Sequence, residues 1–176
     1  MMGYQLLASE TVFRGRVFDV HQDRVRLPDG AEVRLDVVAH HGAVTIIPLD
    51  DEGRMWFVRQ YRHPAGRELL EFPAGVLNAG EDPQTAAQRE IREEIGMRAA
   101  ELRPIGEFFL APGYSTEYMH VFLATGLSPD PLDMDEDERI ELEKIPWRQV
   151  EQLARQGGLG DAKSLAALLL AQPFLA

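Results

Sequence analysis

The chain has 176 residues, 45% hydrophobic and 27% charged, with 29 acidic side chains against 18 Lys and Arg and a formal net charge of −11. That length suits one compact domain with a sizeable core, or a domain with a small extension, and the negative field disfavours nonspecific binding to nucleic acid or an anionic membrane. Cysteine is absent, which excludes disulfides, thiolate chemistry and cysteine-based zinc sites and fits a reducing, cytoplasmic setting.

The first fifteen residues have neither a basic leader nor a long apolar core, so no signal peptide is read there. The most apolar run, Leu165 to Leu170, falls far short of the roughly 20 residues that span a bilayer. Phe13 to Leu27 alternates in part and reads as a strand. Pro28-Asp29-Gly30 turns the chain and Ala31 to Ala39 returns, which predicts a hairpin. Ala43 to Leu49 is a continuous apolar run suited to a strand buried on both faces, and Met55 to Gln60 follows as the next strand. A helix is expected from about Asp82 to Ile95. Asp82 is the N-cap, Pro83 the first helical residue and Gly96 the stop, with Ala86, Ala87, Ile91 and Ile95 forming the apolar stripe. Strands are expected near Glu101–Leu110 and Tyr118–Ala124. The acidic stretch Asp133 to Glu143 reads as a disordered loop or a feature beside a lid. Trp147–Arg155 and Ala162–Gln172 read as closing helices. This order predicts an α+β fold, an α/β/α sandwich with a mixed sheet, divided into residues 1–40 and 41–176.

Glu90, Glu93 and Glu94 carry the chemistry. Spacings of three and four residues place them on neighbouring parts of one helix face, where three anions repel one another. A hard divalent cation removes that repulsion, since Mg²⁺ prefers oxygen ligands and accepts substrate phosphates as further ligands. It also supplies the counter-charge that so acidic a chain needs to hold an anionic substrate. Taken alone, EIREEI is the pattern of a solvated charged face, the usual explanation of such a run.

The surroundings decide between the two. Gly75, Glu81, Arg89-Glu90-Ile91, Glu93-Glu94, Gly96 and Met97 match, at these spacings, every fixed position of the Nudix signature. The chain therefore resembles the Nudix hydrolase superfamily. The resemblance implies metal-dependent hydrolysis of a diphosphate bond. Glu90, Glu93 and Glu94 would be metal ligands, and Glu93 and Glu94 catalytic. The backbone carbonyl of Ala74 would be a further ligand, and Mg²⁺ the cofactor with Mn²⁺ as substitute. Arg89 would hold a glutamate in place, and Glu81 would either do the same or be a ligand itself.

Further motifs resemble the ADP-ribose pyrophosphatase group. Pro112-Gly113 forms a loop ahead of Glu117, which in that group accepts or steers the proton of the attacking water beneath a moving lid. Arg59 and Arg62, in RQYR before Pro64, resemble a strand end where an arginine meets the diphosphate, and Phe72 to Gly75 (FPAG) fits as well. Arg16, Val17 and Phe18 resemble an N-terminal strand extension that dimerises and lines the partner's adenosine pocket. The implied substrate is ADP-ribose, hydrolysed to AMP and ribose 5-phosphate by a homodimer, with neither nucleic acid nor membrane as partner. GDP-mannose or a broader range of nucleoside diphosphate compounds remains open, as does a sensing module that binds a nucleotide sugar without cleaving it. The five histidines show no metal spacing and are read as structural or surface residues.

Overall fold

The computed structural model describes residues 3–133 and 139–175. The chain divides into two compact units, Met1–Gly42 with Phe109–Tyr118, and Ala43–Phe108 with Met119–Ala176.

The first unit is built on a three-stranded antiparallel sheet, β1 (Gln5–Arg14), β2 (Phe18–Arg26) and β3 (Glu32–His40), in that order. β2 and β3 form the expected hairpin, in register from Phe18 opposite His40 to Arg26 opposite Glu32. At its turn Asp29 accepts a hydrogen bond from the Ala31 amide (3.0 Å), and Gly30 takes φ +90°, a conformation glycine adopts without steric cost. The single strand expected from Phe13 is corrected. The chain breaks at Gly15, whose amide donates to the Phe18 carbonyl (3.0 Å), and a Cβ there would lie 2.5 Å from that oxygen. β1 is a separate strand that its polar SET segment concealed.

Residues 110–117 belong to this unit rather than to the segment that follows it in sequence. The Val38 amide donates to the Tyr114 carbonyl (2.7 Å) and the Thr116 amide to the Val38 carbonyl (2.9 Å). The His40 amide donates to Thr116 Oγ1 (2.8 Å), and that hydroxyl donates in turn to the His40 carbonyl (3.2 Å).

The second unit contains two sheets. One orders β7 (Ala74–Val76), β4 (Ala43–Pro48), β9 (Tyr118–Pro129) and β8 (Met97–Phe109); the other orders β10 (Ile140–Pro146), β5 (Arg54–Arg62) and β6 (Arg67–Glu71). β4 runs parallel to β9 and antiparallel to β7, so the sheet is mixed. All six residues of β4 are buried; five are apolar, and the sixth, Thr45, donates from its Oγ1 to the Pro73 carbonyl (3.3 Å). Alternation along the strands sends side chains to opposite sides. Val44, Ile46, Val58 and Phe122 pack with Ala87 and Ile91 of α1 (Pro83–Glu94). Ile47, Phe57 and Val121 pack with Val150 of α2 (Trp147–Arg155) and with Ala167 and Leu168 of α3 (Ala162–Ala171). Helices thus cover both sides of the strands, the expected α/β/α sandwich. Each fully buried Ile or Phe in these clusters contributes roughly 1.5–3 kcal/mol.

The acidic stretch is also corrected in part. Residues 134–138 lie outside the described residues, but Ile140–Pro146 is a strand paired with β5 along its length. Its charges are matched across the pair: Glu143 accepts from Arg59 Nε (2.6 Å), and Lys144 Nζ sits 3.6 Å from the Trp56 ring centre.

Candidate active site

The site grows from α1 and the two short strands before it. Asp82 caps the helix by accepting from the Thr85 amide (3.0 Å), Pro83 opens it, and Gly96 at φ +68° ends it. These stops fix which face meets β7. Glu90 and Glu94, one turn apart, are 7% and 3% exposed. Glu94 Oε2 accepts from the Ala74 amide (3.0 Å), which ties the helix to the first residue of β7. Beside it, a Cβ added to Gly75 would lie 1.9–2.3 Å from the Glu90 carboxylate atoms. Glycine is needed there because the carboxylate occupies the space a side chain would fill.

Arg89 organises the remaining carboxylates. Its Nε and Nη2 donate to the two oxygens of Glu81 (both 3.0 Å), and its Nη1 donates to Glu90 (2.6 Å) and Glu93 (2.8 Å). The bond to Glu81 leads the effects that push the Arg89 pKa above its ordinary value, and the same bond leads those holding Glu81 below the usual carboxylate range. Glu81 also accepts from the Asn78 amide (2.9 Å), so both its oxygens are held by Arg89 and Asn78. One guanidinium therefore offsets the mutual repulsion of three glutamates.

Arg62, at the end of β5, reaches the same unit's site from another strand. Its Nε and Nη2 fork onto Glu71 (2.9 and 2.8 Å), and that bond is the main cause raising its pKa, with Glu94 and Asp161 adding charge. Glu71 is 2% exposed. Burial works to raise its pKa, but the bonds from Arg62 and Lys163 outweigh burial and hold it low. Arg59 does not join this group, since strand alternation turns it to the opposite face, onto Glu143. Glu71 and Lys163 escape sequence reading because 92 residues separate them. The only signal was that Glu71 immediately precedes FPAG.

In the first unit, Arg16, Val17 and Phe18 line a cavity of about 230 Å³ together with Asp19, His21 and His40. Pro112 and Gly113 form the corner of a tight turn, with the Tyr114 and Ser115 amides donating to the Ala111 carbonyl (3.1 and 2.9 Å). Glu117 follows, its amide bonded to Ser115 Oγ (3.1 Å) and its carbonyl to the Leu110 amide (3.0 Å).

Among the described residues, no three His, Asp or Glu side chains are already gathered around a metal-sized point. The α1 carboxylates nonetheless fit a divalent cation. All are hard oxygen donors, Glu90 is cradled where a Cβ would otherwise sit, and Glu94 is fixed beside the Ala74 backbone.

Carboxylates presented in this way, on a loop and helix set against a mixed sheet, suit a metal-dependent hydrolase, and the chain belongs to the NUDIX family. The NUDIX domain matches residues 39–168, and the nucleoside diphosphate sugar hydrolase N-terminal domain matches residues 4–34. The chain is 37% identical over 164 residues to an ADP-ribose pyrophosphatase of Bacillus subtilis, covering 92% of this chain and 89% of that one. It is 46% identical over 125 residues to an ADP-ribose pyrophosphatase of Mycobacterium tuberculosis, covering 70% of this chain and 60% of that one. The crystal structure of an ADP compounds hydrolase matches with a TM-score of 0.88 at 27% identity, covering 99% of this chain and 95% of that one. Among the described residues, no helix is long and apolar enough to cross a membrane.

Proposed function

We propose that the chain hydrolyses the diphosphate bond of ADP-ribose, water adding to one phosphorus to give AMP and ribose 5-phosphate. The observation that carries this reading is the presence in one unit of buried Glu90 and Glu94 on α1, carboxylates for a cation, and of Arg62 on β5, which feels the Glu94 charge and offers a guanidinium to a phosphate. Two relatives named for ADP-ribose support the substrate. Glu90, Glu93, Glu94 and the Ala74 carbonyl would hold Mg²⁺, with Mn²⁺ as substitute. Bound there, the metal supplies charge neutralisation for the diphosphate and an acidified water. Arg62 grips a diphosphate oxygen with the guanidinium edge that Glu71 leaves open. Glu117 accepts or steers the proton of the attacking water. Arg16, Val17 and Phe18 contribute to the adenosine pocket.

The test is a panel of ADP-ribose, GDP-mannose, NADH and dGTP with Mg²⁺, read as phosphate released after phosphatase treatment. ADP-ribose is expected to give the highest kcat/KM. Flat activity across the panel overturns the assignment, preference for GDP-mannose installs the alternative sugar nucleotide, and binding without turnover makes the chain a sensing module.

A cytoplasmic homodimer completes the proposal. β1 is exposed at nine of its ten positions and displays Leu6, Val12 and Phe13, each more than half exposed. Such an apolar strand in water calls for a covering surface, here a second copy. Light scattering is expected to read twice the chain mass of 19.8 kDa. A mass of one chain at micromolar concentration would overturn the dimer.

A further inference from the structure

The start of α3 carries a group for which the chemistry above has no use. Asp161 caps the helix by accepting from the Ser164 amide (3.0 Å) and also accepts from Lys163 Nζ (3.0 Å). Lys163, only 12% exposed, donates from there to Glu71 Oε2. Ser164 Oγ accepts from the amide of Phe72 (3.0 Å), the residue after Glu71. Two tethers therefore join α3 to the segment leading into Ala74 and Gly75: one neutral, one charged.

The charged tether has a consequence for Arg62. A carboxylate buried to 2% exposure must be paired. Arg62 alone already satisfies both oxygens, through Nε and Nη2. If it were the sole partner, Glu71 would draw its charge inward and oppose any second anion on the same guanidinium. Lys163 meets Glu71 from the α3 side and takes part of that charge. Asp161 fixes the lysine so that it cannot follow solvent. The Arg62 fork is then held in direction by Glu71 without being fully neutralised by it, and its Nη1 edge stays outside the pair, on a side chain 39% exposed.

We infer that Lys163 is a positioning residue: by sharing the Glu71 carboxylate with Arg62, it keeps the guanidinium aligned and its charge less fully offset for a diphosphate oxygen. This rests on the reading of Arg62 as the arginine that meets the diphosphate.

The experiment uses the full chain with ADP-ribose and Mg²⁺ and compares Arg62→Met, Lys163→Met, Lys163→Arg, Ser164→Ala and the Arg62→Met/Lys163→Met pair. Lys163→Met is expected to raise KM roughly tenfold, the size of one charge-assisted hydrogen bond, with a smaller change in kcat. The Mg²⁺ concentration for half-maximal activity stays at the wild-type value, because the α1 carboxylates are untouched. Lys163→Arg restores most of the KM. In the Arg62→Met background, loss of Lys163 lowers Tm by leaving Glu71 without a cation but adds nothing further to KM. Ser164→Ala cuts the neutral tether, so it lowers Tm and leaves KM in place. Additive effects, an unchanged KM in Lys163→Met, a shifted Mg²⁺ requirement, or an equal KM rise in Ser164→Ala would each overturn the role of Lys163 while leaving that of Arg62. An unchanged KM in Arg62→Met overturns both.

Discussion

Glu94→Gln is expected to lower kcat by about three orders of magnitude, because the cation proposed for α1 would lose a charged ligand at a cost of several kcal/mol and each decade of rate corresponds to roughly 1.4 kcal/mol. The fold should survive. Glu94 accepts one hydrogen bond from the Ala74 amide (3.0 Å), and a glutamine carbonyl oxygen in the same place accepts it equally well. What the substitution removes is the negative charge at a position only 3% exposed. The measurement is kcat at saturating Mg²⁺ together with a thermal melt. Near-native turnover would overturn Glu94 as a metal ligand, and a collapsed melt would make it a structural group instead.

Gly75→Ala separates stability from activity in a different way. The new Cβ would lie 1.9 Å from Glu90 Oε1, far inside any tolerated contact. The obstructing atoms are the far end of a flexible side chain, and Gly75 is not among the glycines with positive φ, so alanine suits the backbone. Glu90 therefore yields and β7 does not. Tm is expected to stay within a few degrees of wild type, whereas kcat/KM falls on the order of a hundredfold, as when a metal site loses the support of one ligand. Adding Glu90→Ala to this background should cost little more, since the carboxylate is already displaced. Full activity in Gly75→Ala would exclude Glu90 from the site.

Local chemistry made much of this legible beforehand. Asp82, Pro83 and Gly96 mark the ends of α1 because caps act within a few residues of the helix they stop. Ala43 to Leu49 announced a strand covered on both faces by being apolar at every position but Thr45, and the strand runs Ala43–Pro48. β10 was hidden for the opposite reason: Ile140 and Leu142 alternate as a strand should, but between them stand glutamates that look solvated. Only the structure shows Arg59 waiting across the pair for Glu143. Arg62 is the better candidate of the two in RQYR from the sequence, and strand alternation sends Arg59 to the opposite face. The Glu71–Lys163 contact has no local signature at all, since chain topology alone brings the start of α3 to the end of β6. Residues whose partners lie nearby in sequence could be read; those whose partners arrive by topology could not.

The stitching of residues 114–116 to β3 bears on how such a chain tolerates cutting and grafting. Its hydrogen bonds to Val38 and His40 mean that the turn holding Pro112, Gly113 and Glu117 is scaffolded by residues more than seventy positions upstream. A truncation beginning at Ala43 would keep every glutamate of α1 yet strip the backbone ahead of Glu117 of its support. A chimera that imports a foreign N-terminal sheet would inherit that sheet's β3 as the new mount for Glu117. In recombination, residues 1–42 and 109–118 therefore travel best as one cassette, although the chain writes them in two places.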